Sequence, residues 1–180
     1  VADDLLADPV ELGQALGVDP SDVKLLAALR AASRRFRDQV RRHISRVTDD
    51  VVDLDGNGTI SLLLPNAPVV EVSELLVDGE AFTAYKVGRR DGRLRRTDGC
   101  VWPDLAAVQV TYTHGFDPVP EGIAEVVLDQ AKVIREVLPG VQTLTAGGES
   151  VTYGAAATVG VTSQWTAAVE RYQLNRGDAA

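Results

Sequence analysis

Two hydrophobic periods follow one another along this chain. Up to about residue 47, apolar positions recur every three or four residues, the spacing of one helix face. Asp8-Pro9 offers a cap and a first helical position for a short helix over residues 10–16, which Gly17 stops, and Asp19-Pro20 repeats that signature before a longer helix expected over about 20–47. On the longer helix Leu26, Leu29, Phe36, Val40, Ile44 and Val47 form one stripe. The arginines fall off it in two rows, Arg30/Arg34/Arg37/Arg41 and Arg35/Arg42/Arg46, so one face is core and the rest is basic.

From residue 51 the period drops to two and β-branched residues multiply. Asp-Gly and Asn-Gly pairs at Asp55-Gly56, Asn57-Gly58, Asp78-Gly79, Asp91-Gly92 and Asp98-Gly99 mark tight turns. Short antiparallel strands are expected at about 51–54, 59–64, 69–77, 82–87, 93–96 and 107–114. Pro118 and Pro120 then close the sheet and open a helix over about 121–137, which Leu138-Pro139-Gly140 ends. Residues 141–161, rich in Gly, Ser and Thr, predict a mobile arm or a loose hairpin. Thr162 or Ser163 caps a last helix with Trp165, Val169 and Tyr172 on one side. The fold class is α+β: a small helical bundle with an inserted region of short antiparallel strands and an extended C-terminal arm ending in a helix. The expected division is residues 1–140, with the insertion at about 49–116, and an arm at 141–180.

A chain of 180 residues, 45% apolar and 24% charged, has the composition of a globular domain. No apolar run, Leu62–Leu64 included, approaches the ~20 residues that span a bilayer. The opening Val-Ala-Asp-Asp carries acids where an export signal carries bases, so no export signal is expected. The lone Cys100 cannot form an internal disulfide, which fits a reducing compartment. The formal charge of −8 disfavours a protein that wraps nucleic acid, but the distribution says more. Residues 20–47 carry eight bases and two acids, residues 48–116 six and eleven. A molecule with opposite charges in different places suits head-to-tail contact between identical copies at least as well as contact with DNA.

Several motifs point to chemistry that their context does not sustain. Asp53-Leu-Asp55-Gly-Asn57-Gly58 matches the first half of a calcium loop, but the twelfth position is Leu64 where a bidentate glutamate belongs, so a hairpin turn is expected and no metal site. Residues 11–18, followed by a helix, resemble the turn of a helix-turn-helix, yet the next helix opens Val23-Lys-Leu-Leu-Ala-Ala-Leu29, mostly core residues where base-reading polar side chains are needed. His43 and His114 have no nucleophile elbow or phosphate-cradling loop beside them, so neither a catalytic residue nor a cofactor is assigned, no enzyme is expected, and His114 reads as a structural hydrogen-bonding group.

One set of segments carries a more specific signal. Leu64-Pro-Asn-Ala-Pro-Val-Val, Val77-Asp-Gly-Glu, Gly92-Arg-Leu-Arg-Arg, Trp102-Pro, Val110-Thr-Tyr-Thr-His-Gly-Phe-Asp-Pro-Val-Pro running into a helix, and Glu149-Ser-Val-Thr-Tyr occur in an order that resembles the head-to-tail adaptor proteins of long-tailed, siphovirus-type bacteriophages of actinobacterial hosts. The resemblance spans about residues 5–172, and its most specific piece is Tyr112 to Pro120. It implies a virion protein at the head–tail junction, assembled in the host cytoplasm. Such proteins form rings, typically of twelve copies, below the portal protein; the ring extends the DNA channel and carries the stopper or tail-completion protein. DNA would pass without specific binding, no membrane is involved, and no catalytic or metal residue carries over. On that reading Trp165, Val169 and Tyr172 are expected to dock onto the portal or a neighbouring copy, with folding back onto their own subunit as the rival. The seven arginines of the long helix are expected at a subunit interface or facing the channel. The alternative function is a helix-turn-helix DNA-binding regulator.

Overall fold

The computed structural model describes residues 5–103, 107–136, 143–146, 149–152 and 162–173. The architecture is α+β, with four helices and antiparallel sheets among the described residues. The chain divides into two units, one holding the described residues of Val1–Arg41 and Val119–Gln173, the other those of Arg42–Pro118. The second contains the expected β-rich insertion.

The first unit is helical. Helix α1 (Pro9–Leu16) starts where the Asp8 carboxylate accepts the Val10 N–H at 2.8 Å, and Gly17 closes it in the left-handed conformation. Helix α2 (Val23–Val40) is shorter than expected at both ends. Asp22 caps it by accepting the Leu25 N–H at 2.8 Å, because the Asp19 carboxylate is engaged one turn earlier by the N–H and hydroxyl of Ser21. Arg41 ends it at φ 56°. Beyond it the backbone pairs instead with residue 116: the Phe116 N–H donates to the Ile44 carbonyl and the Arg46 N–H to the Phe116 carbonyl. Ile44 and Val47 therefore continue the helical spacing without continuing the helix, and Arg41, Arg42 and Arg46 are not on it.

Helix α3 (Glu121–Glu136) begins where expected; residue 137 and the Leu138-Pro139-Gly140 stop lie outside the described residues. Helix α4 (Ser163–Tyr172) is capped by Thr162, whose hydroxyl accepts the Trp165 N–H at 3.1 Å. The core of this unit joins Leu25, Leu29, Phe36 and Val40 with Ile123, Val127, Ala131 and Trp165, each no more than 1% exposed. Phe36 meets Trp165 edge-on at 5.2 Å between ring centroids, and the indole N–H donates to the Gln39 side chain at 2.6 Å, so the one polar atom of the buried Trp is satisfied.

The second unit is two antiparallel sheets sharing one core. Strands β1 (Val47–Asp55), β3 (Val69–Val77), β4 (Glu80–Ala81) and β7 (Ala107–His114) form a sheet in the order β1-β7-β3-β4, which leaves β1 at an edge. Strands β2 (Ser61–Leu63), β5 (Tyr85–Gly88) and β6 (Arg93–Arg96) form the other, in the order β2-β6-β5. The expected strands at 69–77, 93–96 and 107–114 match in full. The first begins four residues earlier, the one expected at 59–64 is confined to β2, and of the one expected at 82–87 only residues 85–87 are strand, in β5. Side chains alternate by strand geometry: Val108, Val110 and Tyr112 point inward with Leu75 and Val69, and meet Leu62 and Leu94 of the smaller sheet around Trp102. The turn after β1 is held tightly. A Cβ on Gly56 would lie 1.6 Å from the Pro103 carbonyl oxygen, and Trp102 bonds on both sides, its carbonyl accepting the Gly58 N–H and its N–H donating to the Thr59 carbonyl. Finally, in the segment where an arm or hairpin is expected, β8 (Thr143–Ala146) and β9 (Glu149–Thr152) pair antiparallel.

Candidate functional site

The outer faces of the two sheets in the second unit carry opposite charge. Inward positions are fixed by the shared core, so the alternate positions must face out. On the larger sheet the register sets Asp53 beside Gln109, and Glu74 and Glu71 beside Thr111 and Thr113. Asp53 accepts a hydrogen bond from the Gln109 amide at 2.9 Å, which fixes that carboxylate on the outer face. Asp49, at φ 51° in the irregularity of β1, lies there too, accepting the Ser73 hydroxyl at 3.3 Å while its N–H donates to the Thr113 hydroxyl. Strands β1, β3 and β7 contain six acids and no Lys or Arg. Val51 and Val70, 56% and 37% exposed, sit among these acids.

The smaller sheet is the converse: β2, β5 and β6 contain four bases and no acid. Lys86 lies opposite Arg95, and Arg93 opposite Leu63, all four exposed on the outer side, with Arg89 and Arg90 exposed in the turn that follows β5. Asp91 in that turn pairs with Arg93 at 3.5 Å. Arg96 alternates inward and closes the core instead: it lies over the rings of Phe82 and Trp102 and donates twice to Asp98, which holds that carboxyl at about 2, well below its ordinary value.

One acid on β1 is not on the outer face. The irregularity between Val47 and Asp50 turns the Asp50 side chain toward the fully buried His114, with Nε2 3.0 Å from Oδ2. The tautomer that donates to Asp50 is the one this contact favours. Burial pulls the His114 pKa down, the Asp50 carboxylate opposes that, and His43, its ring 6.2 Å away, adds to the lowering. Tyr112 stacks at 4.8 Å from His114, and burial pushes its phenol up to about 12. The expectation of a structural hydrogen bond for His114 holds, with a carboxylate across the strand pair as partner where a turn was expected. The calcium-like turn is occupied with its own bonds: the Asn57 carbonyl oxygen accepts from the backbone N–H and hydroxyl of Thr59, and its amide donates to the Ser61 carbonyl.

The structure scatters the arginines that sequence spacing puts on one helix. Arg30, Arg34, Arg35 and Arg37 are on α2, and of these Arg34 is exposed and the others half-buried; Arg30, Arg35 and Arg37 interact with other groups of the chain. Arg41 is the C-cap, Arg42 donates to the Ala67 carbonyl at 2.7 Å and lies 5.8 Å from the Phe116 ring centre, and Arg46 pairs with Asp117 at 3.2 Å. Trp165 needs a correction. At 1% exposed and bonded to Gln39, it is inside its own unit and offers no surface to a partner; Val169 and Tyr172 are half-buried on the same helix. The reasoning from sequence missed the two charged faces, although Asp53-Leu54-Asp55 and Arg93-Leu94-Arg95 display the alternation plainly.

The fold has solved counterparts. Aligned over all of this chain and 96% of the other, it matches a chain in the neck of a native GTA particle computed with C12 symmetry, at TM-score 0.58 and 20% identity. A chain in the neck of an empty GTA particle computed with C6 symmetry matches at TM-score 0.59 and 20% identity, covering 96% of this chain and 91% of that one. A third, in the virion of a native gene transfer agent particle, matches at 0.60 and 18%, with the same coverage. At such identities what is shared is the fold. No family model matches the sequence, and no curated protein matches it.

Proposed function

We propose that this chain is a structural, non-catalytic component of the neck of a phage-like particle: a head-to-tail adaptor that forms a ring below the portal, extends the DNA channel and carries the stopper or tail-completion protein. The observation that carries this reading is the fold match to neck chains over 96% or more of the chain. The ordered motifs, most specific at Tyr112 to Pro120, support it from the sequence, independently of the fold. The match to a neck chain computed with C12 symmetry supports a ring of twelve copies for this chain as well. Its place is then the head–tail junction of a virion built in the host cytoplasm, in a siphovirus-type particle of an actinobacterial host. Val169 and Tyr172, half-buried on α4, are the residues of the C-terminal helix that retain surface for the portal or a neighbouring copy.

The regulator alternative is disfavoured by packing. Leu25, Ala28 and Leu29 of α2 are buried, which leaves Val23, Lys24 and Ala27 as the outward side chains of its first turns, a poor set for reading base edges. The test is native mass spectrometry of the purified chain with and without the portal protein of its own particle. A ring bearing the portal's symmetry is expected; a stable dimer that retains one duplex sequence over excess competitor overturns the reading.

A further inference from the structure

We propose that the second unit is the subunit-to-subunit joint: the acidic outer face of the four-stranded sheet on one copy docks onto the basic outer face of the three-stranded sheet on the next. The inference rests on the reading of the chain as a ring component and names the surfaces that would close that ring. Its starting point is segregation. Acids and bases of one stretch of sequence occupy separate sheets, with no Lys or Arg on β1, β3 or β7 and no Asp or Glu on β2, β5 or β6. Because the two sheets share one core, these outer faces belong to opposite sheets of one unit.

Electrostatics then selects the symmetry of the contact. A two-fold dimer through either face would set acid against acid or base against base, which costs free energy. Contact between unlike faces brings each patch to its complement, and such a contact repeats from copy to copy, closing into a ring when the rotation per step allows. Each face also exposes apolar side chains within its charge, Val51 and Val70 on one and Leu63 on the other, the make-up of an interface with an apolar centre and a charged rim. Nucleic acid is the rival occupant of the basic face. It accounts for only one of the two faces, whereas a second copy accounts for both.

The decisive experiment uses charge reversal in the full-length chain. One variant, Asp53→Arg with Asp55→Arg, makes the acidic face basic; the other, Arg93→Glu with Arg95→Glu, makes the basic face acidic. Ring formation is followed by sedimentation velocity and native mass spectrometry, with and without the portal. Each variant alone should weaken self-association by about tenfold or more, while an equimolar mixture should assemble into rings of strictly alternating composition. Rescue by mixing is not expected of variants that merely misfold. Where a reversal does unfold the chain, the neutral pairs Asp53→Asn with Asp55→Asn and Arg93→Gln with Arg95→Gln should still weaken assembly, and wild-type assembly should weaken with added salt. Rings that form equally well from each variant overturn this inference and leave the adaptor reading intact. Loss of duplex binding by the Arg93/Arg95 variant with unaltered rings also overturns it, in favour of nucleic acid. Wild-type chains that associate through these faces but never engage the portal support the joint and overturn the adaptor reading.

Discussion

The hydrogen bond between His114 and Asp50 ties an edge strand to the strand beside it, and the burial of His114, which that bond only partly offsets, makes stability depend on pH in a direction that can be worked out. Burial lowers the folded-state pKa of His114 below its ordinary 6.5, so below that value the unfolded chain takes up a proton more readily than the folded one. The associated stability is complete above about pH 6.5 and is lost as pH falls from there toward the folded pKa. Thermal melts between about pH 7.5 and 5.5 should show a falling Tm that His114→Gln flattens; an unchanged slope in that variant would assign the effect to another group. At neutral pH Asp50→Asn should cost roughly 1.5 kcal/mol by urea titration, the low end for a hydrogen bond to a charged group, since Asp50 is 32% exposed. Phe36→Ala belongs with the large core truncations. Fully buried against Trp165, it should cost roughly 3–5 kcal/mol, and a loss under about 1 kcal/mol would contradict its place in the core.

At the scale of elements, two glycines of the same turn should behave very differently. Gly56→Ala drives a Cβ into the Pro103 backbone and should cost roughly 3 kcal/mol or more, whereas Gly58, at φ 65° with open space around it, should lose only about 1–2 kcal/mol on the same change. Equal losses in equilibrium unfolding would mean that the Gly56 contact is not tight. Three strands were legible to the residue because a turn signal stands beside each: Asp78-Gly79 after residues 69–77, Asp91-Gly92 and Asp98-Gly99 around 93–96, and Gly115 after 107–114. Helix α2 was legible in its middle and misread at its ends. Ile44 and Val47 fall at helical spacing from Val40, but the hydrogen bonds that claim residues 44–46 come from Phe116, far along the chain, and local pattern cannot register them. The same reason hid the fate of Trp165. The Thr162 cap and the amphipathic pattern of its helix are local, while Phe36 and Gln39, which bury it, are not.

For the molecule as a whole, the arithmetic of charge misled where its geometry did not. Summing residues 48–116 gives a mildly acidic stretch and conceals two oppositely charged faces, because a strand pair at distance in sequence decides which sheet each residue joins. With a formal charge of −8, any affinity for duplex DNA should be non-specific and steeply salt-dependent. Fluorescence anisotropy with two unrelated duplexes should give equal affinities, both collapsing between about 50 and 200 mM salt; a preference for one sequence that survives the higher salt would contradict this. The edge position of β1 has a further consequence. An unpaired strand margin is a template on which other chains can add, and the kink at Asp49 together with the exposed carboxylates of Asp53 and Asp55 makes this margin a poor one. In the proposed ring, newly made copies crowded together before placement would thereby be steered away from irreversible backbone zippering and left to meet through side chains, by contacts that can be undone and made again until each is correctly seated.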